Sequence, residues 1–196
     1  MASDRTTEIV VIRHAPALTG GRLAGRRDVP ADCTDSAAFR AQAAALGAFD
    51  RVLTSPALRC RQTAAHLWPD AAEFPTDPRL WEQDYGAWEG QPYADLPDWG
   101  AISAQELARH APPGGESFAA QCARTHAALE DLCTDPRTRG ARIALVAHAG
   151  TARAALSLAL GRVEAGLAFR IDPLASTQIL ALPDGWAVGW VNRAPR

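Results

Sequence analysis

The 196-residue sequence contains no lysine, and all twenty of its positively charged side chains are arginines. The absence of lysine excludes Schiff-base chemistry, pyridoxal-phosphate attachment and the phosphate-binding lysine of a P-loop. Any phosphate or carboxylate that this chain binds must therefore be held by arginine, histidine and backbone N–H groups. Arginine suits this task because its planar fork can hold an oxyanion through two parallel hydrogen bonds.

Cysteine and long apolar runs are also scarce. The four cysteines form no C-x-x-C pair, and neither an H-E-x-x-H motif nor a Cys/His cluster is present, so we expect no metal and no cofactor. Residues 1–8 are polar, and the apolar run 9–12 is too short for a signal peptide or a membrane span. These features favour a reduced cytoplasmic setting without membrane contact.

The charge balance argues against a polyanionic partner. A formal net charge of −2 argues against nucleic-acid binding, which needs a basic face.

The length predicts a single domain over residues 1–196, large enough to bury about 70% of the surface of its unfolded chain. The sequence carries no signal for an oligomeric state.

Two short apolar runs each end in a histidine. Residues 8–12 are followed by Arg13 and His14, and residues 143–147 are followed by His148. Such runs suit strands that are buried on both faces of a parallel sheet, and open α/β sheets bind ligands at the carboxyl ends of their strands. The pattern therefore predicts two imidazoles and a guanidinium at one edge of a sheet, which indicates an anion site that contains a nucleophile.

Strands alternate with helices along the chain, which predicts a three-layer α/β/α sandwich around a mostly parallel sheet. The predicted segments are strands 8–12, 51–54, 73–74 and 143–147, helices 36–46, 55–67, 117–131 and 151–160, and a hairpin of 178–182 and 186–191 with Asp184-Gly185 at its turn. Asp35 or Ser36 is a candidate N-cap, and Pro56 is placed in the first turn of its helix. Residues 75–115 are predicted to form an elaborated excursion over the sheet, and a loop of this length is usually functional.

Four sequence blocks occur in a distinctive order. They are Arg13-His14, the S-x-x-x-R-x-x-x-T-A block 55–64, the L-x-E-x-x-[FY]-G-x-W-E-G block 80–90 and the histidine-containing block 146–150, and a G-E-S stretch at 115–117 with Arg124 accompanies them. Together they resemble the signature of the histidine phosphatase superfamily, also called phosphoglycerate mutase-like. The resemblance extends from residue 9 to residue 153 and implies the phosphoglycerate mutase-like α/β fold.

The resemblance implies a phosphatase that forms a phosphohistidine. It implies His14 as the nucleophile, which must be neutral, with its Nδ1–H held by a backbone carbonyl so that the other ring nitrogen attacks. It implies Glu82 as the general acid that protonates the leaving oxygen and later activates water. Two other carboxylates in the same stretch, Asp84 and Glu89, compete for this role.

The resemblance also implies a phosphate-binding set. Arg13, Arg59 and the second catalytic histidine, His148, would surround the equatorial oxygens of the phosphoryl group, and Ala149 would adjoin them. Phosphoryl transfer depends mostly on positioning and on stabilising this charge, so the arginines make a metal ion unnecessary.

Three positions depart from the pattern of the superfamily. Ala15 and Ala149 follow the two histidines where glycine is usual, and Gly20 stands where an asparagine is usual. A methyl group at either alanine could narrow the pocket, and the oxygen contact of the asparagine is missing. Residues 25–30 resemble the G-x-x-D-[VI]-P stretch of the α-ribazole phosphatase branch. Arg26 and Arg27 in that stretch are either substrate contacts or solvated loop arginines.

The leading interpretation is a phosphomonoester hydrolase that acts on a small phosphorylated metabolite, with α-ribazole phosphate as one candidate. One alternative is phosphoryl transfer of the cofactor-dependent phosphoglycerate mutase type. The acidic balance of residues 91–111, where Arg109 is the one arginine against Asp95, Asp98 and Glu106, disfavours retention of a bisphosphate. Another alternative is a non-catalytic module that binds a phosphorylated ligand, which the substitutions at Ala15, Ala149 and Gly20 suggest.

Overall fold

The computed structural model describes residues 6–98 and 100–195. The helices and strands of these residues are β1 (Thr7–Arg13), α1 (Ser36–Leu46), β2 (Arg51–Thr54), α2 (Leu58–Leu67), α3 (Ala104–Arg109), α4 (Phe118–Thr134), β3 (Arg142–Ala147), α5 (Ala149–Leu160), β4 (Ser176–Leu182) and β5 (Gly185–Arg193). Short 3-10 helices occur at Pro78–Leu80, Gly86–Trp88, Tyr93–Asp95 and Val163–Ala168. Within this part of the chain, no helix combines the length and the apolar character that a membrane span needs.

The described strands form one mixed sheet in the order β2-β3-β1-β4-β5. β1 and β2 both pair with β3 in parallel, β4 is antiparallel to β1, and β5 is antiparallel to β4. β5 therefore runs in the same direction as β1, β2 and β3, and β4 is the one described strand that is antiparallel to the others. The predicted mostly parallel sheet is confirmed. Arg13 lies opposite Ala147 in the β1–β3 register, so the two histidines follow neighbouring strands at the same edge.

The strand sequences divide the core into two layers. Ile9 and Val11 pack on one face of the sheet against residues of α4 and α5, whereas Val10 and Ile12 pack on the other face against residues of α1 and α2. All four side chains are fully buried, as expected for a strand with helices on both faces. The predicted three-layer α/β/α sandwich is therefore confirmed.

The excursion is anchored to this core near its start. Leu80 is buried among core residues on the α4 and α5 side, and the Arg124 guanidinium of α4 donates to the backbone carbonyls of Arg79 and Trp81. Further along, Pro92 forms an isolated bridge with Arg22 of the loop after β1. These contacts carry residues 81–93 across the carboxyl edge of β1 and β3. Residue 99 of the excursion lies outside the described residues.

Three local predictions were wrong. Residues 73–74 form no strand; Thr76 makes an isolated bridge with Thr54, and the intervening Pro75 has no N–H for a ladder. Helix α2 begins at Leu58 rather than 55, because the Ser55 N–H still bonds the Val146 carbonyl. The hairpin turn consists of residues 183–184, and Gly185 pairs with Leu182 as the first residue of β5.

Candidate active site

A cavity of about 240 Å³ opens at the carboxyl edge of β1 and β3. The charged side chains of its lining are Arg13, Arg59, Arg153 and Glu82, and the lining also includes the His14 imidazole and the backbone of Ala149. A cavity of this size accommodates a small metabolite rather than a folded protein. The excess of three guanidinium groups over one carboxylate makes it an anion-binding environment.

His14 lies at the floor of this cavity and is almost entirely buried. Its backbone N–H continues the β1–β3 pairing by bonding the Ala147 carbonyl, which fixes the main chain. Its Nδ1 lies 2.7 Å from the Ala15 carbonyl oxygen, which can only accept, so Nδ1 carries the ring proton and Nε2 carries the lone pair. Burial and, next, the charge of Arg59 lower the pKa of His14 to about 3, so the ring is neutral near pH 7.

Arg59 is held rigidly although it extends from the first turn of α2 into the site. Arg59 is 1% exposed, and its guanidinium donates to the carbonyls of Gly25 (2.7 Å) and Arg27 (3.0 Å). Its Nε donates to Nε2 of His14 at 3.3 Å, and a terminal nitrogen donates to Nδ1 of His148 at 3.2 Å. The loop carbonyls therefore fix the cation directly beside the nucleophilic nitrogen.

His148 is adjacent to His14 but lies behind the cavity wall. The two ring centroids are 5.2 Å apart, and the His148 ring is fully buried. Its Nδ1 accepts from Arg59, so its Nε2 carries the proton and donates to Oγ of Ser55 at 2.8 Å. Burial, followed by the charge of Arg59, lowers the pKa of His148, so this ring is also neutral. The structure does not bring it to the cavity lining, and its contact with a phosphate oxygen stays a prediction.

Arg13 lines the cavity and uses one of its five N–H donors on the protein. A terminal nitrogen of its guanidinium donates to the Ile171 carbonyl at 2.6 Å. Its Nε is buried and finds no hydrogen-bond partner among the described residues. A buried donor without an acceptor is costly, so this position favours an incoming oxyanion.

Glu82 reaches the cavity from the excursion. The guanidinium of Arg124 donates to the Glu82 carbonyl and thereby fixes the backbone from which the side chain extends. The Glu82 carboxylate accepts from the Gln121 amide at 2.9 Å and from the Gly150 N–H at 3.3 Å. A Cβ at position 150 would overlap with a Glu82 carboxylate oxygen, so a larger residue there would displace this carboxylate.

The competing carboxylates point elsewhere. Glu89 accepts from the backbone N–H groups of the loop residues 25–27 and of Tyr85, and it is not part of the cavity lining. The Glu89 carboxylate lies so close to the backbone of Gly25 that a Cβ on Gly25 would be 2.7 Å from a Glu89 oxygen. Asp84 accepts from the Gly86 N–H and is likewise absent from the lining. Of the three carboxylates, Glu82 alone among the described residues reaches the cavity.

The two loop arginines do not line the cavity. Arg26 lies over the Trp81 ring, with its guanidinium carbon 5.6 Å from the ring centroid, and its terminal nitrogen is 3.7 Å from Glu116. Arg27 is exposed, and its guanidinium lies against Gly90. Contact of these side chains with a substrate stays a prediction. The backbone carbonyls of Gly25 and Arg27 in this loop bind the Arg59 guanidinium.

The two alanines that replace glycines differ in their surroundings. Ala15 is fully buried in the core cluster on the α1 and α2 side, and its N–H donates to the Thr63 hydroxyl. Its methyl group therefore does not narrow the pocket. Ala149 is the first residue of α5 and lines the cavity. Its backbone N–H is one of the helix-terminal donors that lack an intrahelical acceptor, which suits a bound anion.

Several lining residues were not predicted from the sequence: Gln121, Tyr85, Tyr93 and Arg153. Arg153 had a detectable signal, since it lies on α5 four residues after Ala149 and thus on the same helix face. The other three come from α4 and the excursion, and nothing in their spacing places them here. Among the described residues, no group of three or more His, Cys, Asp or Glu side chains could hold a metal ion.

The fold and the site define a class of protein in which a sheet-edge histidine and two arginines form an anion site. The family model of the histidine phosphatase superfamily (branch 1) matches residues 9–194, and the chain belongs to this superfamily. No curated protein sequence matches the chain.

Solved structures share the fold over nearly the whole chain. A mycobacterial glucosyl-3-phosphoglycerate phosphatase in complex with VO3 is 25% identical, with a TM-score of 0.79 over 96% of this chain and 100% of that chain. The α-ribazole phosphatase of Shigella flexneri is 23% identical, with a TM-score of 0.79 over 94% of this chain and 96% of that chain. A protein described as mycobacterial hydrolase 2 is 24% identical, with a TM-score of 0.83 over 98% of this chain and 93% of that chain.

Proposed function

We propose that this protein is a phosphomonoester hydrolase that works through a phosphohistidine intermediate on a small phosphorylated metabolite. The observation that carries the proposal is the state of His14 in the cavity. Its Nδ1–H is bound to the Ala15 carbonyl, and its unprotonated Nε2 accepts from Nε of Arg59 in a cavity that also contains the Glu82 carboxyl group. A neutral, oriented imidazole next to fixed cations is the arrangement that nucleophilic attack on a phosphate ester requires.

In the first half-reaction, Nε2 of His14 attacks phosphorus and forms the P–N bond while the ester P–O bond breaks. The electron pair of that bond leaves with the oxygen of the alcohol, and the Glu82 carboxyl group supplies the proton that this oxygen needs. Arg13 and Arg59 stabilise the charge that spreads over the equatorial oxygens. Hydrogen-bonding by Nδ1–H to Ala15 favours the cationic ring of the phosphohistidine.

In the second half-reaction, water attacks the same phosphorus atom. The Glu82 carboxylate, now deprotonated, accepts a proton from the water as the P–N bond breaks, and the electron pair of this bond returns to Nε2 of His14. Inorganic phosphate leaves, and both groups regain their starting protonation states. His148 acts in this scheme by holding a terminal nitrogen of Arg59 in place.

The comparisons support a phosphatase and leave several substrates open. Two of the similar structures are named for phosphatases of small metabolites, glucosyl-3-phosphoglycerate and α-ribazole phosphate. The α-ribazole phosphate assignment rests on the sequence resemblance of residues 25–30, and it remains one candidate in this proposal. A cytoplasmic location is proposed from the cysteine usage of the sequence.

Hydrolysis is favoured over mutase-type transfer by the lining of the cavity. Of residues 91–111, excluding position 99, Tyr93 is the one that lines the cavity, and Arg109 does not. A bisphosphate that must be retained and reoriented would need further cations from this segment. The proposed outcome is therefore release of inorganic phosphate to water.

The proposal predicts metal-independent phosphate release. Purified protein with p-nitrophenyl phosphate should release inorganic phosphate at the same rate before and after treatment with EDTA, because the charge-neutralising groups are arginine side chains. A loss of activity that Mg²⁺ or Zn²⁺ restores would contradict this mechanism. Conversion of 3-phosphoglycerate to 2-phosphoglycerate without net release of inorganic phosphate would favour the mutase alternative.

A further inference from the structure

Arg153 is a cavity arginine to which the proposed chemistry gives no role. It extends from α5 four residues after Ala149, and both residues line the cavity. The side chain is partly buried. A charged group in this position costs desolvation free energy unless a partner compensates for it, so its presence calls for an explanation.

Arg153 and Arg13 are anchored side by side on one backbone segment. Nε of Arg153 donates to the Phe169 carbonyl at 3.0 Å, and a terminal nitrogen of Arg13 donates to the Ile171 carbonyl at 2.6 Å. Phe169 has extended backbone angles, and alternate carbonyls of an extended chain face the same side, about 7 Å apart. The fixed anchors therefore hold two guanidinium groups next to each other in the cavity.

The donors of Arg153 are largely unused. The bond to Phe169 is the one hydrogen bond that the described residues offer to its guanidinium, so both terminal nitrogens remain for a ligand. Arg59 and Arg124, by contrast, each use their terminal nitrogens on backbone carbonyls. Two terminal N–H groups in a planar fork match the two oxygens of a carboxylate.

The lining holds three guanidinium groups, those of Arg13, Arg59 and Arg153, against the single carboxyl group of Glu82. A phosphate monoester brings close to two negative charges near neutral pH, and the proposed reaction pairs these with Arg13 and Arg59. Arg153 is the cavity cation that remains for a second anionic group of the substrate.

We propose that Arg153 binds a carboxylate of the substrate, so that the preferred substrates are small phosphorylated carboxylic acids. This inference rests on the proposed function. The phosphate lies by Arg13 and Arg59 over His14, and the carboxylate pairs with the terminal nitrogens of Arg153. The spacing of the two anchors suits a carboxyl group only a few bonds from the phosphate-bearing oxygen. Arg153 is thus a specificity-determining residue and takes no part in bond making or breaking.

The test compares two phosphate esters that differ at one group. 3-Phosphoglycerate carries a carboxylate where glycerol 3-phosphate carries a hydroxymethyl group. The wild-type protein should hydrolyse 3-phosphoglycerate with a kcat/KM about tenfold to a hundredfold higher, the range expected for hydrogen bonds to a charged group. Arg153→Gln should reduce this ratio to near one, chiefly by raising KM for 3-phosphoglycerate. Arg153→Lys, which keeps the charge but not the fork, should give an intermediate ratio.

Arg170→Gln is the matched control. Arg170 belongs to the same backbone segment, but its side chain is 84% exposed and pairs with Asp172 outside the cavity lining. The ratio should stay at the wild-type value in this variant. A ratio that falls equally in both variants would indicate a general effect of net charge and would overturn the assignment of Arg153.

The outcomes separate this inference from the proposed function. If the ratio of kcat/KM for 3-phosphoglycerate to that for glycerol 3-phosphate is the same in wild-type protein and in Arg153→Gln, the carboxylate assignment is wrong. Hydrolysis of both esters would still support the proposed phosphatase function. If the wild type hydrolyses neither ester nor p-nitrophenyl phosphate, the proposed function fails, and calorimetric binding of the same two esters decides about Arg153. Tighter binding of 3-phosphoglycerate that Arg153→Gln removes would support its role, and equal binding would overturn it.

Discussion

The two walls of the cavity are built in different ways. The inner wall, formed by His14 and Arg59 with His148 behind them, is buried and tied to the sheet edge and the 25–27 loop by hydrogen bonds. The outer wall, formed by side chains such as Tyr93 and Arg153, is partly exposed and meets solvent. Under the proposed function, the inner wall would carry out a reaction common to many phosphate esters, and the outer wall would select among them.

Glu82 lines the cavity together with residues of both walls, and its substitution should have the largest effect on turnover. Glu82→Gln should depress turnover of an alkyl phosphate by about 10²–10⁴-fold, the usual contribution of a positioned acid. An alkyl ester leaves as a basic alkoxide, whereas p-nitrophenolate is stable without a proton. The loss for p-nitrophenyl phosphate should therefore be clearly smaller in the phosphorylation step, measured as a single-turnover burst. Equal losses for both esters would contradict the role of Glu82 as the proton donor.

The burial of the inner wall predicts a dependence of stability on pH. The folded-state pKa of His14 is about 3, below the ordinary value of 6.5, so the unfolded chain binds more protons between these values. This contribution to stability is complete above pH 6.5 and is lost as the pH falls toward 3. Between pH 7 and pH 5, the contribution of His14 should fall by about 2 kcal/mol.

Urea unfolding of wild-type protein and His14→Gln at these two pH values measures that contribution. The wild type should lose more unfolding free energy between pH 7 and pH 5 than the variant does. Equal losses in the two proteins would show that the His14 ring is not held neutral by its surroundings, and the contrast between the walls would weaken.

Substitution of Glu89 should have the smallest effect on activity, because Glu89 supports the inner wall without reaching the cavity. Its carboxylate binds the N–H groups of residues 25–27, and the carbonyls of this loop hold Arg59. Glu89→Gln should lower kcat/KM by about tenfold, the cost of a weakened charged hydrogen bond. The loss should be the same for alkyl and aryl phosphates. If instead Glu89→Gln selectively impairs alkyl esters and Glu82→Gln does not, the general acid is Glu89.

The parts of the fold that depend on local chemistry were predictable. Helix α1 has the predicted bounds because Asp35 caps it, its side chain accepting from the Ala38 N–H. β3 ends at Ala147 as its apolar run predicts, and β1 ends at Arg13, one residue beyond its apolar run. Where a tertiary contact decides the outcome, the prediction was wrong: α2 starts late because the Ser55 N–H extends the pairing with β3.

The site shows the same division. Four of the predicted side chains, Arg13, His14, Arg59 and Glu82, line the cavity together. Their common location follows from the sheet topology and from blocks whose order the resemblance supplied. The position of the Arg153 side chain depends on its hydrogen bond to the Phe169 carbonyl, which belongs to the segment after α5. The orientation of the Arg26 side chain depends on its contacts with Trp81 and Glu116. Neither arrangement is encoded in local spacing.

The central claim is that phosphate passes through a covalent bond to His14, and rapid-quench trapping of the intermediate tests it most directly. Protein mixed with a labelled phosphate ester and quenched in base should retain label that is stable to base and is released by acid, as expected of a phosphoramidate. His14→Ala should retain none, while a spectrum of the folded protein confirms that the variant is intact. Label that survives acid, or label of the same amount on His14→Ala, would contradict the account.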